Sequence, residues 1–202
     1  MKNRIGILGG TFNPIHRGHL TLALSAYEQY NLDVVWIMVS PAPPHKAASD
    51  ILNINRRIDM IKLAICDYRD KLEFSDYELK RDGYVYTAET LTLLKNEYPD
   101  DEFYFIMGGD SLRDIEKWYM PQIIMEKAVI LAAVRNDMDE CAVIKHASYL
   151  KSKFGADIRL LKTEGIPISS TAIRNNIKNN FSVRDMLPLK VEEYIKYNRL
   201  YV

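Results

Sequence analysis

The stretch Gly9-Gly10-Thr11-Phe12-Asn13-Pro14-Ile15-His16-Arg17-Gly18-His19 gathers two glycines, a hydroxyl and two imidazoles. Glycines let backbone N–H groups come close to a ligand, and a helix that begins in such a stretch presents its positive dipole end. That combination suits an anion, phosphate above all. His16 and His19 are three apart, so on a helical turn they face one side, and Gly18 keeps that side uncrowded. The stretch has neither the GxGxxG spacing of a dinucleotide site nor the GxxxxGK[ST] spacing of a phosphate loop. The competing readings are capping or packing histidines, or half of a zinc site, although no Cys or His cluster follows to complete four ligands.

Four further segments could serve the same chemistry. Lys46 ends the proline-stiffened run Pro41-Ala42-Pro43-Pro44-His45-Lys46, where a mobile point charge would suit phosphate. Tyr86 and Thr87 open a helix; Thr87 reads as an N-cap, and a free helix start would accept a carboxylate. Gly108, Gly109 and Asp110 end a strand, where Asp110 could accept from ribose hydroxyls, and Trp118 beyond them is either core or a stacking surface. Ser169, Ser170 and Thr171 precede Arg174, which reads either as a capped helix with a surface arginine or as a phosphate cradle with a charged fork.

The elements that must position these groups alternate. Short apolar runs predict strands at Arg4–Leu8, Val34–Val39, Leu72–Tyr77, Phe103–Met107, Ala128–Val134 and Ile158–Leu161. Helical spacing covers Leu20–Tyr30, Asn55–Ile65, Thr87–Tyr98 and Glu140–Phe154, with two closing helices from Thr171 and over Leu189–Tyr197. Strands that alternate with helices imply crossover connections, hence a Rossmann-like, doubly wound α/β fold with a mainly parallel sheet and helices on both faces. Ligands of such sheets bind beyond the carboxyl ends of the strands, where the chemistry-bearing segments fall. One domain over residues 1–202 is expected, with a small helical portion from about residue 168.

Composition narrows the class. With 48% hydrophobic and 27% charged residues the chain is neither disordered nor fibrous. Lys plus Arg and Asp plus Glu are both 27, so no general attraction to nucleic acid or to an anionic membrane is expected. The longest wholly apolar run, Ala128 to Val134, is far short of the roughly 20 residues of a spanning helix. Cys66 and Cys141 lack CxxC spacing, so free, buried thiols in a reducing cytoplasm are expected. No self-complementary patch is legible, so a homodimer stays open.

HxGH directly after GGTFNPI, followed by SSTxxR, resembles the nucleotidylyltransferase superfamily. All five segments in this order, together with the ending through Leu200-Tyr201, resemble the bacterial nicotinate-nucleotide adenylyltransferases. The resemblance implies adenylyl transfer from ATP, with its magnesium, to nicotinate mononucleotide, giving nicotinate adenine dinucleotide and pyrophosphate. It implies that His16, His19, Lys46 and Arg174 surround the triphosphate, with Gly9, Gly10, Thr11, Phe12, Ser169, Ser170 and Thr171 also on ATP. Gly108 and Asp110 would hold the adenosine ribose. Tyr86 and Thr87 would meet the pyridine substrate through backbone N–H groups, and Trp118 would stack on its ring. The chain departs from the family pattern at Asn13, where aspartate is usual, at Gly109, at Tyr84-Val85 and at Glu89.

Overall fold

The computed structural model of the chain describes residues 2–41, 51–81, 83–134, 137–163 and 168–202. Six strands, β1 (Arg4–Gly10), β2 (Val34–Val39), β3 (Leu72–Ser75), β4 (Glu102–Gly108), β5 (Val129–Val134) and β6 (Ile158–Lys162), form one sheet in the order β3-β2-β1-β4-β5-β6. Every neighbouring pair is parallel, so the expected Rossmann-like fold is present and its sheet is parallel throughout. The helices are α1 (Arg17–Gln29), α2 (Ile54–Ile65), α3 (Thr87–Glu97), α4 (Gly109–Asp114), α5 (Pro121–Lys127), α6 (Asp137–Phe154), α7 (Ser170–Lys178) and α8 (Leu189–Tyr197).

Alternate residues of each central strand serve the two faces, as the two-residue period requires. Tyr104 and Ile106 of β4 join Val35, Ile37 and Val39 of β2 in the core beneath α1 and α2. Phe103, Phe105 and Met107 face the opposite core with Leu91 of α3 and Ile124 of α5. Gly6 is required at the first face, because a Cβ there would lie 2.9 Å from both Leu32 and Val35. Ile173, Val183, Leu187, Val191 and Ile195, from α7 onward, enter that same core.

Strand order reverses between β1 and β4. Their pairing runs only to Ile7↔Phe105, whereas β1 continues beside β2 as far as Gly10↔Val39. A crevice therefore opens at the carboxyl ends of these central strands, the place where doubly wound sheets hold their ligands.

Two expectations need correction. Tyr77 is not in β3; the chain turns at Ser75 into a 3₁₀ turn over Tyr77–Lys80. The cysteines are free but not buried: Cys66 is half-buried beside Lys190 Nζ at 2.9 Å, and Cys141 is exposed. Cys66 caps the end of α2 and Cys141 lies on the solvent side of α6, which apolar neighbours in sequence do not reveal. Among the described residues no helix is long and apolar enough to cross a membrane.

Candidate active site

The loop between β1 and α1 is shaped by its ring packing. Phe12 is 2% exposed and takes a positive φ of 48°. A Cβ on Gly10 would come within 3.1 Å of the Phe12 ring, so glycine permits that turn. Phe12 meets the His19 ring edge-on at 4.9 Å between centroids, and His16 stacks on His19 at 3.6 Å. The two imidazoles expected on one side of a turn are thus in direct contact.

His16 occupies the N-cap of α1 in extended conformation. Its backbone N–H donates to His19 Nδ1 at 3.2 Å, so in neutral His19 the proton sits on Nε2. His16 itself is 5% exposed, and its Nδ1 is buried without a hydrogen-bond partner in the protein. Burial drives its pKa down to about 4, which leaves the ring neutral at physiological pH. A Cβ on residue 18 would lie 3.1 Å from that same Nδ1, so Gly18 makes room for the His16 ring.

Helix α7 docks its first turn onto this loop. Ser170 Oγ donates to Pro14 O at 2.9 Å, and Arg174 Nη1 donates to Asn13 O at 2.9 Å. Arg174 Nη2 reaches Thr171 Oγ1 at 3.4 Å. Ser169 is the N-cap, its hydroxyl accepting from Ala172 N at 3.1 Å. His16, His19, Ser169, Ser170, Thr171 and Arg174 are therefore brought together, with the Ser170 hydroxyl holding the helix to the loop and the Ser169 hydroxyl capping the helix. Lys46 and the rest of its loop lie outside the described residues.

A pocket of about 200 Å³ adjoins the glycine turn, and Gly9, Gly10, Thr11, Thr87, Trp118 and Glu78 are among the residues lining it. The N-cap of α3 is Tyr86, without a side-chain cap, rather than Thr87. Glu89 N and Thr90 N both donate to Tyr86 O, so the N–H groups of Thr87 and Ala88 are the ones this helix start turns outward. Trp118 is half-buried, its indole edge-on to Phe105 at 6.2 Å, and Tyr86 packs on Tyr119 at 4.5 Å. At the end of β4, Gly108 caps α4 and a Cβ there would meet nothing within 4 Å. Asp110, in the first turn of α4, is exposed and pairs with Arg113.

Three residues that carry this site escape sequence reasoning. Arg57 is 1% exposed, and its guanidinium donates to Thr11 O, Ser40 O, Pro41 O and Leu52 O at 2.7 to 3.2 Å. Tyr201 donates its hydroxyl to Asn13 Oδ1 at 2.9 Å, and Leu52 N donates to the same oxygen at 3.3 Å. Glu78 is 8% exposed in the pocket wall and accepts from Thr90 Oγ1 at 3.0 Å. In the sequence Arg57 follows another arginine on an amphipathic helix and reads as solvated surface; Glu78 falls just past the expected strand, with no motif around it.

A stacked imidazole pair, a glycine turn and two helix starts converging at the switch point of a parallel sheet define a nucleotide-handling site of the nucleotidyltransferase kind. The cytidylyltransferase-like family profile matches residues 7–176. The chain is 44% identical to a protein of Lachnoclostridium phytofermentans over 98% of its own length and 99% of that relative's, and 38% identical to one of Clostridium tetani over the full length of both. Both relatives bear the name "Probable nicotinate-nucleotide adenylyltransferase". The chain belongs to this family, the nicotinate-nucleotide adenylyltransferases, within the cytidylyltransferase-like group. The solved structure of Plasmodium falciparum nicotinic acid mononucleotide adenylyltransferase complexed with NaAD matches with a TM-score of 0.79 at 20% identity, covering 98% of this chain and 97% of that one, a likeness of fold.

Proposed function

We propose that the protein transfers the adenylyl group of ATP to nicotinate mononucleotide, forming nicotinate adenine dinucleotide and pyrophosphate in NAD biosynthesis. The observation that carries this reading is the adjacency of two subsites. One is the stacked histidine pair, His16 buried and His19 half-buried, beside the first turn of α7. The other is the pocket shared by Thr87 and Trp118. The first suits a triphosphate, and the second suits an aromatic ring bearing an anion.

In this mechanism a 5′-phosphate oxygen of the mononucleotide attacks the α-phosphorus of ATP, and the bond to the bridging oxygen of pyrophosphate breaks. The second pKa of a phosphate monoester is about 6, so the nucleophile is already ionised and needs no general base. His19, with His16 stacked behind it, would face the transferring group, and Arg174 would add the donors not spent on Asn13 and Thr171. Lys46 supplies a further cation to the departing pyrophosphate. The Gly108 backbone and Asp110 receive the adenosine ribose. Catalysis rests on positioning and on neutralising charge as pyrophosphate leaves. Among the described residues no three His, Cys, Asp or Glu side chains converge on a metal position. Magnesium would arrive as MgATP, held by phosphate oxygens and water, and would neutralise charge on the departing pyrophosphate.

The shared core of the sheet and α7 to α8 supports a single domain. Two free thiols accord with work in the cytoplasm. The test is pyrophosphate release from MgATP with nicotinate mononucleotide, its amide, or phosphopantetheine as acceptor. Fast release with the nicotinate compound, and roughly tenfold less with the amide, is the expected result. Equal rates with acid and amide would remove the role of Thr87; release with phosphopantetheine alone would overturn the function.

A further inference from the structure

We infer that Glu78 is a specificity-determining residue that recognises the fixed positive charge of the substrate's pyridinium ring. The inference rests on the function proposed above and extends it to a residue which that mechanism does not use. Glu78 follows β3 on the 3₁₀ turn Tyr77–Lys80 and lines the same pocket as Thr87 and Trp118.

The charges around it do not cancel. Arg81 places Nη2 on Glu89 Oε2 at 2.6 Å and Nη1 on Thr90 Oγ1 at 3.3 Å, so its charge is matched by Glu89. Glu78 takes hydroxyl donors, from Thr90 at 3.0 Å and from Ser40. Among the described residues no lysine, arginine or histidine forms an ion pair with it. Of the three charged groups Arg81, Glu89 and Glu78, one negative charge is left over, and it belongs to the residue in the pocket wall. Burial resists that charge and raises the Glu78 pKa, while the two hydroxyls and the field of Arg81 act against the rise.

A buried carboxylate without a cation is costly, and the cost is offset when a ligand supplies one. A pyridine joined to ribose through its nitrogen is quaternary and keeps a positive charge at every pH, with the carboxylate as a separate anion on the same ring. The pocket is polarised to match such a zwitterion. The uncapped start of α3 faces the anion, and Glu78 with the Trp118 indole suits the cation. Ile7, Met38, Leu91 and Phe105 give much of the wall an apolar surface, which weakens the screening between these groups. The ligand class is therefore an N-ribosylated pyridinium carboxylate, and a neutral ring of the same shape is disfavoured.

The experiment compares nicotinate mononucleotide with its carbon isostere, the benzene-3-carboxylate C-riboside 5′-phosphate, which has the same outline and no ring charge. Wild-type protein is expected to prefer the cationic ring by about tenfold in kcat/KM, the size of one favourable charge contact. Glu78→Gln keeps an oxygen for Thr90 and should shrink that preference to within about threefold, through KM for the mononucleotide and without change in KM for ATP. An unchanged preference in Glu78→Gln would overturn the assignment. Equal kcat/KM for the two compounds in wild-type protein would overturn it without any variant, so a poorly folding substitution does not protect it. No turnover of either compound by a protein that adenylylates another acceptor would instead overturn the proposed function itself.

Discussion

His16 illustrates how one side chain couples stability to the chemistry of the site. Its ring is buried against His19, and the pKa of about 4 means that the folded chain refuses a proton the unfolded chain accepts near 6.5. The stability held by neutral His16 is therefore complete above pH 6.5 and is lost as the pH falls toward 4. By pH 5 the loss from this group alone amounts to about 2 kcal/mol. Urea unfolding of wild-type protein and His16→Gln at pH 7.5 and pH 5 measures it, because the variant lacks the titration and should lose less stability by that amount. Parallel pH dependences would mean that the ring finds a partner for its proton in the folded state. The same burial keeps the imidazole uncharged, so in the proposed mechanism the positive charge toward the triphosphate would come from Arg174 and Lys46.

At the scale of elements, the site is a meeting of loops held from behind by α2. Arg57 of α2 donates to carbonyls of Thr11 after β1 and of Ser40 and Pro41 after β2, so one buried guanidinium fixes the spacing of two strand ends. Arg57→Met would leave those carbonyls and that of Leu52 without their donor, and should destabilise the protein by about 3 kcal/mol in urea unfolding. A loss below about 1 kcal/mol would show that water replaces the guanidinium freely. This staple also marks where sequence reading ends. The strands and the longer helices are legible because their apolar periods, two in β4 and near 3.6 in α2, are set by which face is buried. Helices α4 and α5 are not, since Gly109 and Pro121 read as breaks while serving as helix starts. HxGH and SSTxxR announce themselves by spacing. Glu78, Arg57 and the uncapped start of α3 matter through what they touch across the fold, and no local pattern encodes those contacts.

Over the whole molecule, the C-terminal helices and the turn after them close on the loop that follows β1. Asn13 follows β1, yet its carbonyl is held by Arg174 and its side-chain oxygen by Tyr201, the residue before the last. The stretch that carries the two histidines is thus fixed by contacts spanning nearly the whole sequence, and the C-terminal helices act as its clamp as well as covering the core. The Asn13 side-chain oxygen is thereby engaged within the protein, accepting from Leu52 N and Tyr201 Oη. Tyr201→Phe removes one donor and leaves the packing of the ring, so it should lower stability by about 1 kcal/mol. The effect should be local: backbone hydrogen exchange should quicken around Phe12 and Ile15 more than in β5, since the loop loses its tie while the central strands keep their ladders. Exchange that rises equally in β5 would mean the hydroxyl supports the fold at large, and exchange unchanged in the loop would assign the clamp to Arg174 alone. With the loop loosened but the Glu78 pocket intact, the lost activity should fall on turnover rather than on KM for the mononucleotide, which separates the two halves of the site by experiment.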